Sequence, residues 1–265
     1  YDANGWMVSE IEEDDDDADG IVDRRATTAY TYDANGNELT RTVDNDSDAD
    51  GVADSRQTRT RTYDAAGNML TETSENDNDA DGVPSSRTSK AFTYDASGNV
   101  LTETYVTDSN ADGTANASQV RTSTYDASGR ELTSVTAHDG NADGTFDSRS
   151  TYTYTYDASG NELSSVYAYD GDADGTPEST STQTYAYDAA GRRTLSMSEN
   201  DSDADGTTDS RSTSEFTYDE NGARIGYVSS SDGDADGTFE NVSRTTSTFV
   251  TIADGVEALV YYYWD

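Results

Sequence analysis

Residues Tyr32 to Thr62 read YDANGNELTRTVDNDSDADGVADSRQTRTRT, and this phrase returns with a period of 31 residues along almost the whole chain. Tyr1, Tyr32, Tyr63, Tyr94, Tyr125, Tyr156, Tyr187 and Tyr218 each open a YDxxG phrase, with no insertion between copies. Self-similarity at a fixed period means that each unit is one supersecondary element stacked on its neighbours. Within the unit, Asp33-Ala34-Asn35-Gly36 reads as a tight turn. An Asp there accepts hydrogen bonds from the N–H groups ahead of it, and Gly tolerates the left-handed conformation that ends a hairpin turn.

The segment ELTRTV after the turn alternates and is β-branched, which predicts a strand of about seven residues. Its apolar anchor stands at Val8, Leu39, Leu70, Leu101, Leu132, Leu163 and Ile225. In the seventh copy Thr194 takes that place and Leu195 follows it, which predicts a local change of pairing or facing. A second strand follows the acidic phrase, as in SRQTRTRT at Ser55 to Thr62 and RSTYTYTY at Arg149 to Tyr156. Period two puts Thr on one face and Tyr30, Phe92, Tyr154, Tyr185 and Phe216 on the other, together with the Tyr of the next YD phrase. In a chain so poor in Leu these rings are expected to form the core, with a sugar-binding platform as the other reading.

The fold class is therefore all-β: eight two-stranded antiparallel repeats over residues 1–248, about seventeen strands, acidic loops at one edge and YD turns at the other. An open twisted sheet rarely passes ~10 strands without curling, so the array is expected to coil into a solenoid or spiral. Residues 249–265 read as a divergent C-terminal hairpin around Asp254-Gly255, either a cap or an assembly strand. The chain begins mid-phrase at Tyr1, which reads as a processed or truncated terminus. No apolar period of 3.6 residues is present, so no helix is expected.

The acidic phrase has the pattern D-x-[DN]-x-D-G-x-x-[DEN], the spacing of a metal loop. Its candidate ligands are Asp15, Asp17, Asp19 and Asp23, then Asp46, Asp48, Asp50 and Asp54. The third loop offers Asp77, Asp79 and Asp81, with Ser85 in the last place. The fourth offers Asp108, Asn110, Asp112 and Asn116, and the fifth Asp139, Asn141, Asp143 and Asp147. The remaining three are Asp170, Asp172, Asp174 and Glu178; Asp201, Asp203, Asp205 and Asp209; and Asp232, Asp234, Asp236 and Glu240. Alternate oxygens wrapping one centre suit a hard cation, and a flexible loop suits calcium better than octahedral magnesium. About one Ca2+ per repeat is expected, and acids just before the loop such as Asp44 are candidates for a second. The loop is not an EF-hand: the position of that motif's bidentate Glu holds Gln57, Thr88, Gln119, Ser150 or Ser181.

Composition agrees with a metal-dependent fold. Leu, Ile, Val and Phe make only 31 of 265 residues, and the net charge is -38. Such a chain is ordinarily disordered. One divalent ion in each of eight loops would bring the charge to -22 and replace part of the missing hydrophobic stabilisation. An acidic surface with a single lysine, Lys90, excludes nucleic acid and anionic membrane as partners. No cysteine is present, so disulfides are excluded, and no apolar run reaches the ~18 residues of a membrane span.

The phrases YDANGN, YDAAGN and YDASGN resemble the YD repeats of RHS-type and teneurin-like proteins, whose hairpins spiral into large shells. The loops resemble thrombospondin type-3 calcium repeats, matching DxDxDGxxD. The first resemblance covers the turn half of each repeat and the second the loop half. RHS repeats lack this metal loop, and thrombospondin repeats carry cysteines that are absent here. Together they imply a bacterial secreted or surface protein.

A catalytic carboxylate pair should be unique in the chain, whereas nearly every Asp here belongs to a turn or loop present eight times, so no enzyme is expected. His138, the single histidine, reads as a solvated neighbour of Asp139. The Thr and Ser faces, and sequons at Asn45, Asn116, Asn200 and Asn241, make glycans a candidate partner. The expected role is an extracellular or cell-surface, calcium-stabilised structural protein. Its copies would join head to tail, by strand addition between subunits, into a fibre or filament. The alternatives are a calcium-rigidified adhesin stalk or binding module, and an RHS-like shell fragment.

Overall fold

A computed structural model describes the backbone of residues 1–252 and 256–264 and the side chains through residue 246. Among the described residues there are seventeen strands and no helix. The chain divides into two compact units, one of residues 1–123 and 136–147 and one of residues 124–135 and 148–265.

The first unit contains β1 (Ser9–Asp14), β2 (Arg24–Tyr32), β3 (Glu38–Asp46), β4 (Ser55–Tyr63), β5 (Met69–Asp77), β6 (Ser86–Tyr94), β7 (Val100–Asp108) and most of β8 (Ala117–Tyr125). The next strand, β9 (Glu131–Asp139), is divided between the units at Thr136. The second unit then runs through β10 (Ser148–Tyr156), β11 (Glu162–Asp170), β12 (Ser179–Tyr187), β13 (Arg193–Asp201), β14 (Ser210–Tyr218), β15 (Arg224–Asp232), β16 (Asn241–Ile252) and β17 (Val256–Trp264). Each unit is an antiparallel meander in which consecutive strands pair. The strands β2 to β15 run nine residues each, longer than the expected seven, because the pairing extends into the first acid of each loop. The expected tip at Asp254-Gly255 lies outside the described residues.

The YD turn closes as its sequence predicts. Gly36 N–H donates to the Asp33 carbonyl at 3.2 Å, and Asp33 N–H to the Asn37 carbonyl at 2.9 Å. The Asp33 carboxylate accepts the N–H groups of Asn35 and Asn37 and the Asn37 side-chain amide. Gly36 has φ +89°, a conformation that side chains other than hydrogen resist. A bulge follows: Thr31 pairs Thr40 but Tyr32 pairs Glu38, leaving Leu39 between them. In the seventh copy Ala186 pairs Leu195 and Tyr187 pairs Arg193, so the register is unchanged. The altered pairing foreseen there does not occur. The exchange of Thr194 and Leu195 instead moves Leu195 onto the face that carries threonine elsewhere.

Repeats are tied to one another at this edge. The hydroxyls of Tyr32, Tyr63, Tyr94, Tyr156 and Tyr218 donate to carbonyls of Met7, Glu38, Met69, Glu131 and Arg193, each in the preceding repeat. Where Arg replaces the capping Asn, it does more than cap. Arg130 and Arg192 bind Asp126 and Asp188, lie 4.8 Å over the rings of Tyr156 and Tyr218, and reach the Asp157 and Asp219 carbonyls of the next turn. On the opposite face hydroxyls pair across each hairpin: Thr31 with Thr40, Thr62 with Thr71, and Thr93 with Thr102, all at 2.6 Å.

The expected aromatic core is not found. Tyr30 stacks with Tyr32 and Phe92 with Tyr94 on one face as predicted, yet Tyr152 is 42 % exposed. Among the described residues Ala137 is the one buried apolar side chain. Described contacts join only consecutive strands, so within each unit nothing packs onto the rings from above. The rings form a half-buried ladder, and cohesion comes from hydrogen bonds and ion pairs between strands.

One such pair corrects the reading of Asp44 as an acceptor for a second ion. Asp44 receives two hydrogen bonds from Arg56, at 2.6 and 2.9 Å, and Glu13, Glu75 and Glu199 pair likewise with Arg25, Arg87 and Arg211. With its two side chains 41% and 31% exposed, the Arg56–Asp44 pair contributes little, and Asp44→Asn is expected to cost below about 1 kcal/mol in a thermal melt.

The turn acids give a pH dependence. Asp33, Asp64, Asp95 and Asp157 are held below the ordinary carboxylate range, first by the amides of Asn37, Asn68, Asn99 and Asn161 and then by backbone N–H groups. A depressed folded pKa means that the stabilisation is complete above the unfolded value of about 3.9 and is lost as pH falls through the folded one. The melting midpoint is expected to fall between pH 5 and pH 3, and less so in Asp33→Asn. Equal falls in both chains would refute the contribution of this turn.

Candidate metal-binding loops

Each acidic loop is locked by hydrogen bonds that spend some carboxylate oxygens and leave others free. In the second loop Asp54 N–H closes onto the Asn45 carbonyl at 2.7 Å. Asp46 ends β3, and its Oδ2 accepts Gly51 N–H at 2.9 Å. Asp50 Oδ1 accepts Val52 N–H at 2.8 Å. The bond from Gly to the first acid recurs in all eight loops, at 2.8–3.0 Å. So does the bond onto the fifth-position acid. The backbone thus fixes one oxygen of each acid and leaves the other to face the loop centre.

The convergence predicted from spacing is present. Carboxylate oxygens of Asp15, Asp17 and Asp19 lie within 4.8 Å of one another, as do those of Asp46, Asp48 and Asp50 and those of Asp77, Asp79 and Asp81. In two later loops the ninth position joins the cluster, as Asp170, Asp172 and Glu178 and as Asp201, Asp203 and Asp209. Like charges that close repel by about 1 kcal/mol in water and several-fold more in a protein surface.

Four first-position acids carry a buried oxygen with no partner. Asp77, Asp108, Asp170 and Asp232 are 5%, 6%, 5% and 1% exposed, and Oδ1 of each has no hydrogen-bond donor. A buried carboxylate oxygen left bare costs free energy that a bound cation would return.

Two features were not read from the sequence. The ninth residue, taken only as a ligand, also clamps the loop entry: Asp54 accepts Ser47 N–H at 2.7 Å, and Ser85 uses its hydroxyl to accept Asn78 N–H at 3.1 Å. Ser85 therefore keeps the clamp while losing the charge. The Ser47 hydroxyl also donates to Asp54, and these bonds hold Asp54 below the ordinary carboxylate range. The second feature is Ala49, with φ 52°, and its counterparts from Ala18 to Ala235 with φ of 49–59°. The left-handed region costs an alanine roughly 1–2 kcal/mol. The signal was available, since the fourth loop position is Ala in every copy.

The third position differs in two loops. Asn110 and Asn141 donate their side-chain amides to Asp112 and Asp143 at 3.0 and 3.2 Å. His138, beside the fifth loop, is exposed, as expected of a solvated neighbour. The shallow hollows along this edge, the largest about 420 Å³ and lined by Ile11, Glu13, Arg25, Asp44 and Asp46, have no enclosed interior.

Fold and loops together define a tandem β-hairpin repeat protein with an acidic loop in each repeat. No protein-family model matches the sequence, and no curated protein matches it. Solved structures with a similar course include TcdB2-TccC3-TEV, at 13% identity and TM-score 0.29, covering 92% of this chain and 13% of that one. A porin-like protein from Bacteroides uniformis is 13% identical with TM-score 0.33, covering 97% and 95%. The Photorhabdus luminescens Tc holotoxin pore is 16% identical with TM-score 0.24, covering 90% and 16%. The chain thus spans a small part of the first and third. The likeness is one of coarse β-repeat architecture.

Proposed function

We propose that this chain is an extracellular structural protein whose repeats are rigidified by calcium, about one ion per acidic loop, and whose copies associate end to end into fibres of a surface appendage or matrix. The observation that carries the calcium reading is the bare, buried Oδ1 of Asp77, Asp108, Asp170 and Asp232 at the heart of four loops. Hard oxygen donors at alternate positions, with backbone N–H groups holding the other oxygen of each acid, fit a calcium shell completed by water. With so little apolar burial, the ions would supply much of the folding free energy. A spiral course for the array belongs to the same proposal.

Association has its own support. Each repeat presents to the next the same complementary set, a tyrosine hydroxyl toward a carbonyl and a strand edge, and such head-to-tail contacts need not close on themselves. A calcium-stiffened stalk that presents a binding partner, including a glycan, is the second reading, favoured by the half-exposed ring of Tyr152 stacked 6.1 Å from Tyr154.

The test is a calcium titration from a chelated sample, followed by circular dichroism and light scattering. A β-signal and large particles that grow in together support both parts. A β-signal without particles leaves a calcium-stiffened spacer and removes the fibre. No response to calcium removes the central reading.

A further inference from the structure

The eight loops are not equivalent, and their differences fall in one block. Loops at Asp15, Asp46, Asp170, Asp201 and Asp232 carry an acid at all four candidate positions, whereas the fourth loop has only Asp108 and Asp112 and the fifth has Asn141 among its acids. The missing charges are replaced by internal donors. Asn110 Nδ2 lies 3.0 Å from Asp112 Oδ2, and Asn141 Nδ2 lies 3.2 Å from Asp143 Oδ2. In the all-aspartate loops the third residue has no donor to offer, and Asp46, Asp48 and Asp50 face one another with carboxylates alone.

The strands beside these two loops differ in the same direction. Where Asp44 pairs with Arg56 and Glu75 with Arg87, the fourth copy sets Val106 opposite Ser118 and the fifth carries Ala137. The covered side chains concentrate here as well: Ser123 on β8 and Ser134, Ala137 and Asp139 on β9, each at most 7% exposed. This segment relies on burial and amide hydrogen bonds where the rest relies on neutralised charge.

We propose that the fourth and fifth loops, Asp108–Asn116 and Asp139–Asp147, form a brace that keeps its structure without calcium, from which the flanking loops order as the ion is restored. The inference rests on the calcium reading and adds its regulation: the array responds to calcium in two stages, flanks first to loosen and last to order. Weakening ligand charge lowers calcium affinity, so the brace is also the place where ions bind least tightly. Stiffness would then be graded by the ambient ion level instead of being switched for the whole chain at once.

The experiment is hydrogen exchange resolved by peptide on the full chain, with saturating calcium and with excess chelator. Loops held at a hundred times their dissociation constant gain roughly hundredfold protection from the ion. Peptides covering the loops at Asp15, Asp46, Asp170, Asp201 and Asp232 are expected to lose protection on that scale in chelator. Those covering Asp108–Asn116 and Asp139–Asp147 are expected to change by less than about threefold. Equal loss in all eight loops overturns the brace and leaves the calcium reading standing. No loss in any loop overturns the calcium reading itself. The double variant Asn110→Asp with Asn141→Asp, folded in calcium, is expected to make both brace loops as chelator-sensitive as the flanks. If their protection in chelator persists, the amide donors are not the cause and the proposal fails.

Discussion

Removing calcium from the loaded chain is expected to lower its thermal midpoint by about 20 °C or more, since each site saturated at a hundred times its dissociation constant adds about 2.7 kcal/mol and each 1 kcal/mol moves a chain of this size by about 2–4 °C. The estimate is so large because little else holds the sheet. One apolar side chain is buried among the described residues, against a net charge of -38. Magnesium at equal concentration should restore much less, since the loops offer flexible carboxylates and no rigid octahedron. The variant Asp232→Ala removes a first-position acid and should delete one ion from the count measured by equilibrium dialysis. A midpoint that ignores chelator would show that the converging carboxylates are tolerated bare.

The variant Gly36→Ala is expected to cost about 2–4 kcal/mol, from a left-handed backbone worth roughly 1–2 and a steric clash worth about as much again. A Cβ at Gly36 would sit 2.9 Å from Cζ2 of Trp6, which leans onto this turn from the preceding repeat and packs 5.4 Å from Tyr32. Gly51 is the control: it has φ +93°, and an added Cβ there meets nothing within 4 Å, so Gly51→Ala should cost only the backbone part, about 1–2 kcal/mol. Combining Gly36→Ala with Trp6→Ala separates the two terms in denaturant melts. Equal costs at both glycines would mean that Trp6 yields freely and that turn-to-turn stacking does not order the edge.

Much of the design was legible because it is local. A Gly four residues after each repeat's Tyr demands a turn, and alternation with β-branched residues demands strands. DxDxDG demands a loop whose acids converge, and all three are found at the positions read. Where the reading failed, a longer-range fact intervened. The tyrosines were assigned to a core because aromatic rings usually seek one. In this fold their hydroxyls reach carbonyls 25 residues back, which periodicity alone does not reveal. Asp44 was read as a spare ligand because it adjoins a loop, whereas strand pairing sets it directly opposite Arg56.

The sequence by itself determined the repeat, the turn, the strand alternation and the composition of every loop, since each depends on residues within one copy. Only the tertiary structure decided which oxygen of each acid is spent on the backbone and which is left bare, how Ser85 and Asp54 come to serve the same clamp, and that the rings line a half-covered face. Those outcomes depend on pairing register and burial, which arise only when strands from different parts of a repeat, and from successive repeats, lie side by side.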